Sequence, residues 1–322
     1  MDTTPPAPDT RNQPTEGSSL YYSLLFAEPD ARVRVWQTLQ LVNTVSTTLN
    51  DVSEPTIAEK KIHWWHEELA RLAQQSARHP ACVAVQGFLH RPDAANALVS
   101  ILSTAATERY SPLATNTELH EMLVADYGAR LTLVEKALAG TVTSGNGDAI
   151  VMYHADALHK NHANALQNKL ANTSNPDQSD AATKPSTGAL QKKDAAAFGL
   201  GQVHRLSTLT HRLNQGYSVF SDEQYAEHNT TPEQLLNNPE KRREMLSTAI
   251  DQAIDTLNQA IDELGANRAT TIASLPIQTM TRLRLSQLKL WQKKKPDLLR
   301  EYIALTPIRK FIIAYRCKRR FA

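Results

Sequence analysis

From Ser18 onward, apolar residues recur every three or four positions through most of the chain. Trp36, Leu39, Val42, Val45 and Leu49 keep this spacing, which is that of one buried helix face. Pro55 interrupts it, and a second helical stretch follows with Ile57, Trp64, Trp65 and Leu69 beside the acids Glu67 and Glu68. The same periodicity predicts helices over roughly 80–106, 117–139, 195–214, 239–264, 269–292 and 296–319. Two segments break the pattern. Residues 1–17 are rich in Pro, Thr and Asp and predict a disordered tail. Residues 141–194 open with TSGNGD and run through NTSNPDQSDAATKPSTG, a low-complexity polar insertion expected to be a loop. No strand pairs joined by tight N-G or D-G turns accompany the helices, and no internal repeat is visible. The pattern predicts an all-α fold.

Composition sharpens this. Apolar residues make up 41% of 322, enough for a core, while a mean hydropathy of -0.42 without a long apolar run argues against a membrane-spanning helix. Glycine is sparse, at 11 residues, and neither G-x-G-x-x-G nor G-K-[ST] occurs, so nucleotide folds of the Rossmann or P-loop kind are not expected. Cys82 and Cys317 are too few for a disulfide framework or a zinc site and fit a reducing compartment. The opening MDTTPPAPDT has no basic or apolar region of a signal peptide. A cytoplasmic location is the expectation.

The net charge of +2 conceals a polarity. Arg282 to Arg320 holds thirteen Lys/Arg against two acids, Asp297 and Glu301, a local +11, so the rest of the chain sums to -9. The C-terminal end is suited to an anionic partner.

Particular runs of residues carry a resemblance. SSLYYSLLFAEPDARVRVWQTLQLVNTVSTTLNDVSEPTIAEKKIHWWHEELARL resembles the opening of the squalene/phytoene synthases. Pro29 and Arg32 match that family's Pro-x-x-Arg. Val52, Ser53, Pro55, Lys61, Trp64, Trp65, Glu68 and Leu69 match the segment after its first Asp-rich motif, and His79-Pro80 also fits. Arg109-Tyr110 falls where the family has an Arg-Tyr pair; Tyr127 fits the following helix, with Gly128 where an Arg is usual. FGLGQVHRLSTLTHRLNQGYSVFSDEQYAEHNTTPEQLL resembles the second signature helix and its loop, and LLREYIALTPIRKFIIAYR the last helix. The resemblance spans residues 18–316 apart from the insertion, with 317–322 left as a basic tail. It implies a terpenoid-synthase-like helical bundle around a central cavity.

The same alignment shows what is missing. The family ionises prenyl diphosphates with Mg²⁺ held by two clusters of aspartates on facing helices, and hard cations need such anionic oxygens. The first cluster aligns with Ser46, Thr47 and Asn50, and no Asp or Glu lies between Asp30 and Asp51. The second belongs near 204–214, where Asp194 and Asp222 flank a stretch free of acids that carries His204, Arg205, His211 and Arg212. Two lesser metal readings are a polar face of Asn43, Thr47 and Asp51, and the i, i+3 pair His63 and His66; each reads more simply as a solvated or structural set. His154, His159 and His162 sit in the insertion. No metal site is expected.

These readings imply a squalene/phytoene synthase-like protein without catalysis, a pseudoenzyme that binds a prenyl or lipid ligand or, like an assembly factor, a protein partner. Arg32, Arg109, Tyr110, His204, Arg205, His211 and Arg212 are its candidate ligand-binding residues. The alternative is an active, Mg²⁺-dependent prenyltransferase that condenses two farnesyl or geranylgeranyl diphosphates to squalene or phytoene. At the C-terminus, Ile308, Phe311, Ile312 and Tyr315 form one apolar helix stripe, which the resemblance would pack on the bundle. The cluster Cys317–Arg320 beyond it would rest on an anionic membrane surface. No recognised nucleic-acid-binding fold is present, and no nucleic-acid partner is expected.

Overall fold

The computed structural model describes residues 14–52, 54–111, 113–140, 191–266 and 275–321. The chain divides into two units, residues 1–141 with 192–322, and residues 142–191; the helical bundle belongs to the first. Most of the expected disordered tail, and the expected insertion up to residue 190, lie outside the described residues.

All regular structure among the described residues is helical: α1 (Ser19–Leu24), α2 (Pro29–Ser46), α3 (Pro55–Ala73), α4 (Pro80–Leu89), α5 (Pro92–Tyr110), α6 (Asn116–Ala139), α7 (Gln191–Ser207), α8 (Leu209–Asn214), α9 (Asp222–Glu227), α10 (Pro232–Asn237), α11 (Pro239–Ala266), α12 (Leu275–Lys294) and α13 (Pro307–Phe321). Seven of these begin on proline, whose fixed φ and missing N–H suit a first helical position. That preference splits the single helix expected at 80–106, because Pro92 ends α4 and starts α5. Capping boxes start α6 (Thr115 with Glu118) and α9 (Ser221 with Gln224). Helices α9 and α10 are too short for the periodicity to announce.

Two large apolar clusters form the core. One joins Leu41, Val42 and Val45 of α2 to Trp65, Leu69 and Leu72 of α3 and to the inner faces of α4, α5 and α6. The other joins Leu131 of α6 to α7, α8, α11 and α12, with Trp291 fully buried. Helix α6 contributes to both clusters, and α2 and α5 pack on it. The buried face of α2 is Ala31, Val35, Thr38, Leu41, Val42 and Val45, so Trp36 and Leu39, expected on it, lie only half-buried beside it. In α3, Trp65 and Leu69 are buried as expected. Ile57 and Trp64 are exposed.

The last helix corrects an expectation. In α13 the residues packed inward are Lys310, Ala314 and Cys317, with Ile313 half-buried. The stripe expected to pack on the bundle, Ile308, Phe311, Ile312 and Tyr315, faces solvent at 74%, 46%, 42% and 46% exposure. Both stripes keep i, i+3, i+4, i+7 spacing, and the bundle selects the one with smaller side chains, which allow α13 close to α12. Residues 317–321 continue the helix rather than forming a separate tail.

Candidate functional site

A cavity of about 230 Å³ lies where the end of α2, α5, α6 and the α7–α8 region converge. Asn43, Ser46, Thr47 and Asn50 line one side, and His204, Thr208, His211 and Arg212 the facing side. The hydroxyls of Ser46 and Thr47 turn back onto the carbonyl of Asn43 at 3.2 and 2.8 Å, and Thr208 onto that of His204 at 2.8 Å. Tyr217 donates its hydroxyl to Asn50 Oδ1 at 2.9 Å, bridging the two sides. Its ring lies 5.4 and 5.5 Å from the Arg109 and Arg212 guanidinium carbons, within cation–π range of both.

The floor holds two carboxylates that sequence reasoning missed, Glu108 on α5 and Asp126 on α6. Both are committed to arginine. Asp126 accepts both contacts of Arg130 Nε at 3.0 Å, one turn along the same helix. Glu108 accepts from Arg205 at 2.6 Å and from Arg212. Two guanidiniums thus share one carboxylate. Burial lowers the Arg205 pKa to about 10, with Arg212 adding to the effect, so Arg205 stays charged near neutrality. Desolvation, and then the arginines Arg130, Arg212, Arg284 and Arg205, lower the His204 pKa, although the side chain opens onto the cavity and desolvation there is incomplete. Burial raises Asp126 despite Arg130. The charged groups here therefore leave about one positive charge in excess. The Nε of Arg212 is buried without a hydrogen-bond partner.

This donor set does not fit Mg²⁺. Such an ion takes several oxygen ligands with carboxylates among them, and the carboxylates that line the cavity are already paired. No group of three or more His, Cys, Asp or Glu among the described residues could hold a metal.

Known proteins place this architecture. Residues 13–120 match the sequence profile of the squalene/phytoene synthase family. The fold matches that of a dehydrosqualene synthase solved in complex with a ligand, with a TM-score of 0.64 over 94% of this chain and 91% of that one. Over residues 13–120 the chain is similar to the squalene/phytoene synthases. At 8% identity the structural likeness is one of fold, the terpenoid-synthase-like all-α bundle. No curated protein sequence matches the chain.

Of the candidate ligand residues of this synthase-like chain, His204, His211 and Arg212 line the cavity. The others do not. Arg32 is on the first turn of α2, eleven residues before Asn43, roughly 16 Å of helix away. Arg109 stands behind Tyr217 and donates to the Gln215 carbonyl at 3.2 Å. Tyr110 turns to the Val52 carbonyl at 3.4 Å. Arg205 is locked by the carbonyls of Val219 and Ser218 at 3.0 and 2.5 Å in addition to Glu108. The polar face Asn43, Thr47 and Asp51 is broken because α2 ends at Ser46, leaving Asp51 exposed and outside the cavity. His63 makes a surface pair with Glu67 at 3.1 Å; His154, His159 and His162 lie outside the described residues. One sequence signal pointed at the missed acids: Asp126 and Arg130 are spaced i, i+4. Glu108 had none beyond its place beside Arg109.

Proposed function

We propose that this protein is a non-catalytic relative of the squalene/phytoene synthases that binds the anionic head of a prenyl or related lipid, a diphosphate in the first instance, without metal. One observation carries the reading. At the positions where the family would hold Mg²⁺, the cavity presents Ser46, Thr47 and Asn50 opposite His204, Thr208 and His211, while its acids are consumed by Arg130, Arg205 and Arg212. The excess positive charge favours an anion, and Arg212, whose buried Nε has no hydrogen-bond partner, lines the cavity. Size supports the same reading. A space of about 230 Å³ is below the roughly 300–1,000 Å³ of ordinary small-molecule sites. It suits one head group better than two reacting prenyl chains. Without preorganised charge at the leaving group, ionisation loses on the order of 10²–10³ in rate for each missing donor.

The test is calorimetry with farnesyl diphosphate, with Mg²⁺ and with EDTA, beside an assay for released pyrophosphate. Binding equal in both media, weakened in Arg212→Ala, and no pyrophosphate are expected. Mg²⁺-dependent pyrophosphate release would establish the prenyltransferase alternative instead.

A further inference from the structure

Helix α13 shows a second feature, remote in sequence from most of the cavity's residues. Its outward stripe of Ile308, Phe311, Ile312 and Tyr315 is exposed, with Phe311 and Tyr315 stacked at 6.1 Å and 13° between ring planes. At 100° per residue this stripe lies opposite the packed face of Lys310, Ala314 and Cys317. The helix has no acidic residue. Arg309, Arg316 and Arg320 run along one flank of the stripe, Lys318 lies on the other above the Phe26 ring at 4.7 Å, and Arg319 closes the C-terminal end. Beside it, Arg282 and Ser286 of α12 join Arg316 and Arg320 in a notch of about 190 Å³ floored by Leu285, Ile313 and Cys317. No carboxylate lines the notch. Burial lowers the Arg282 pKa and the nearby Arg320 adds to this, outweighing the opposing pull of Cys317 and of Asp262 outside the notch.

An apolar stripe of aromatic and branched side chains with a basic border is the surface of a helix lying in the plane of a membrane interface. A second copy of this chain is a poor occupant, since pairing two such helices sets five exposed cations against five more. We propose that α13 docks the protein on an anionic phospholipid surface, with Phe311, Ile312 and Tyr315 entering the acyl boundary and the Arg282/Arg316/Arg320 notch holding a lipid phosphate. Guanidiniums recognise phosphate by paired N–H donors, and each basic residue near such a surface adds about a fivefold gain in partition. One apolar stripe of this size gives reversible rather than permanent attachment.

Co-sedimentation of the full chain with phosphatidylcholine vesicles, with and without phosphatidylglycerol, tests this. Binding only to the vesicles with phosphatidylglycerol is expected. Phe311→Asp/Ile312→Asp should abolish it, and Arg282→Gln/Arg316→Gln/Arg320→Gln should lower it on the order of a hundredfold. The substituted stripe is exposed, so unchanged circular dichroism and thermal unfolding will certify the fold of the first variant. Equal binding to both vesicle types, no binding to either, or indifference to the aspartate pair overturns the proposal. So does a dimer in sedimentation velocity that the aspartate pair disperses, because the stripe is then a self-interface. Loss of binding with the aspartate pair but not with the arginine triple assigns the stripe and overturns the phosphate notch.

Discussion

Arg242 is buried at the start of α11 with each of its three guanidinium nitrogens hydrogen-bonded. Its Nε and Nη2 donate to the two carboxylate oxygens of Asp297 at 2.8 and 2.5 Å, and its Nη1 to the carbonyls of Leu235 and Leu236 at 2.8 and 3.0 Å. The Arg242 hydrogen bond, helped by the Leu299 N–H, holds the Asp297 carboxyl below its ordinary value of 3.8 despite burial. Glu68 behaves alike. Burial pushes it up, but the His79 and Arg78 N–H groups at 2.6 Å and Arg71 at 2.9 Å outweigh that and hold it below 4.5. Since both folded values lie below the unfolded ones, the stabilisation is complete above about pH 5 and is lost as pH falls through the folded values. Asp297→Asn leaves Arg242 buried without an anion and should cost about 3 kcal/mol at neutral pH by urea unfolding. Its stability should also fall less steeply below about pH 4 than that of the wild type; acid limbs of equal slope would show that Asp297 is not part of the acid response.

At the scale of elements, the prolines made helix starts legible, and the periodicity made helix existence legible. Orientation was harder where a helix carries two usable faces. In α13 the large apolar residues drew the sequence reading, whereas the bundle took the face of Ala314 and Cys317, because close helix approach depends on small side chains as well as on hydrophobicity. The same consideration separates two glycines within helices. A Cβ on Gly199 of α7 would meet Leu257 Cδ2 and Cγ at 2.5 and 2.9 Å, so α7 and α11 approach through that glycine. Gly199→Ala should therefore destabilise by about 1–3 kcal/mol. Gly128 of α6 has nothing within 4 Å of such a Cβ. Gly128→Ala should stabilise by about 0.5–1 kcal/mol through reduced freedom of the unfolded chain. Thermal unfolding of the two variants checks both signs. A neutral Gly199→Ala would mean that Leu257 shifts without cost.

For the whole molecule, the absence of acids from residues 31–50 and 195–221 could be read from the sequence, because it takes no knowledge of contacts to see it. The replacement electrostatics could not. Glu108 and Asp126 belong to helices remote in sequence from those runs, and only the packing of α5 and α6 brings them beneath the cavity. Once there, Glu108 pairs with Arg205 and Arg212 at the site of the proposed binding. It neutralises one of two buried guanidiniums, Arg205 and Arg212, which would otherwise repel each other across the floor. Glu108→Gln should thus destabilise the unliganded protein by on the order of 3 kcal/mol. It also adds a positive charge to a site that, on the function proposed above, takes an anion, so an anion should recover part of that loss. A ligand bound only by the folded state stabilises by RT ln(1 + [L]/Kd), about 2.7 kcal/mol at a hundredfold excess over Kd. Titrating inorganic pyrophosphate without metal should therefore raise the Tm of Glu108→Gln by more than that of the wild type, from a lower starting point. If pyrophosphate raises both by the same amount, the excess charge of the Arg205–Glu108–Arg212 cluster does not act on the cavity; if it raises neither, the anion-binding reading fails.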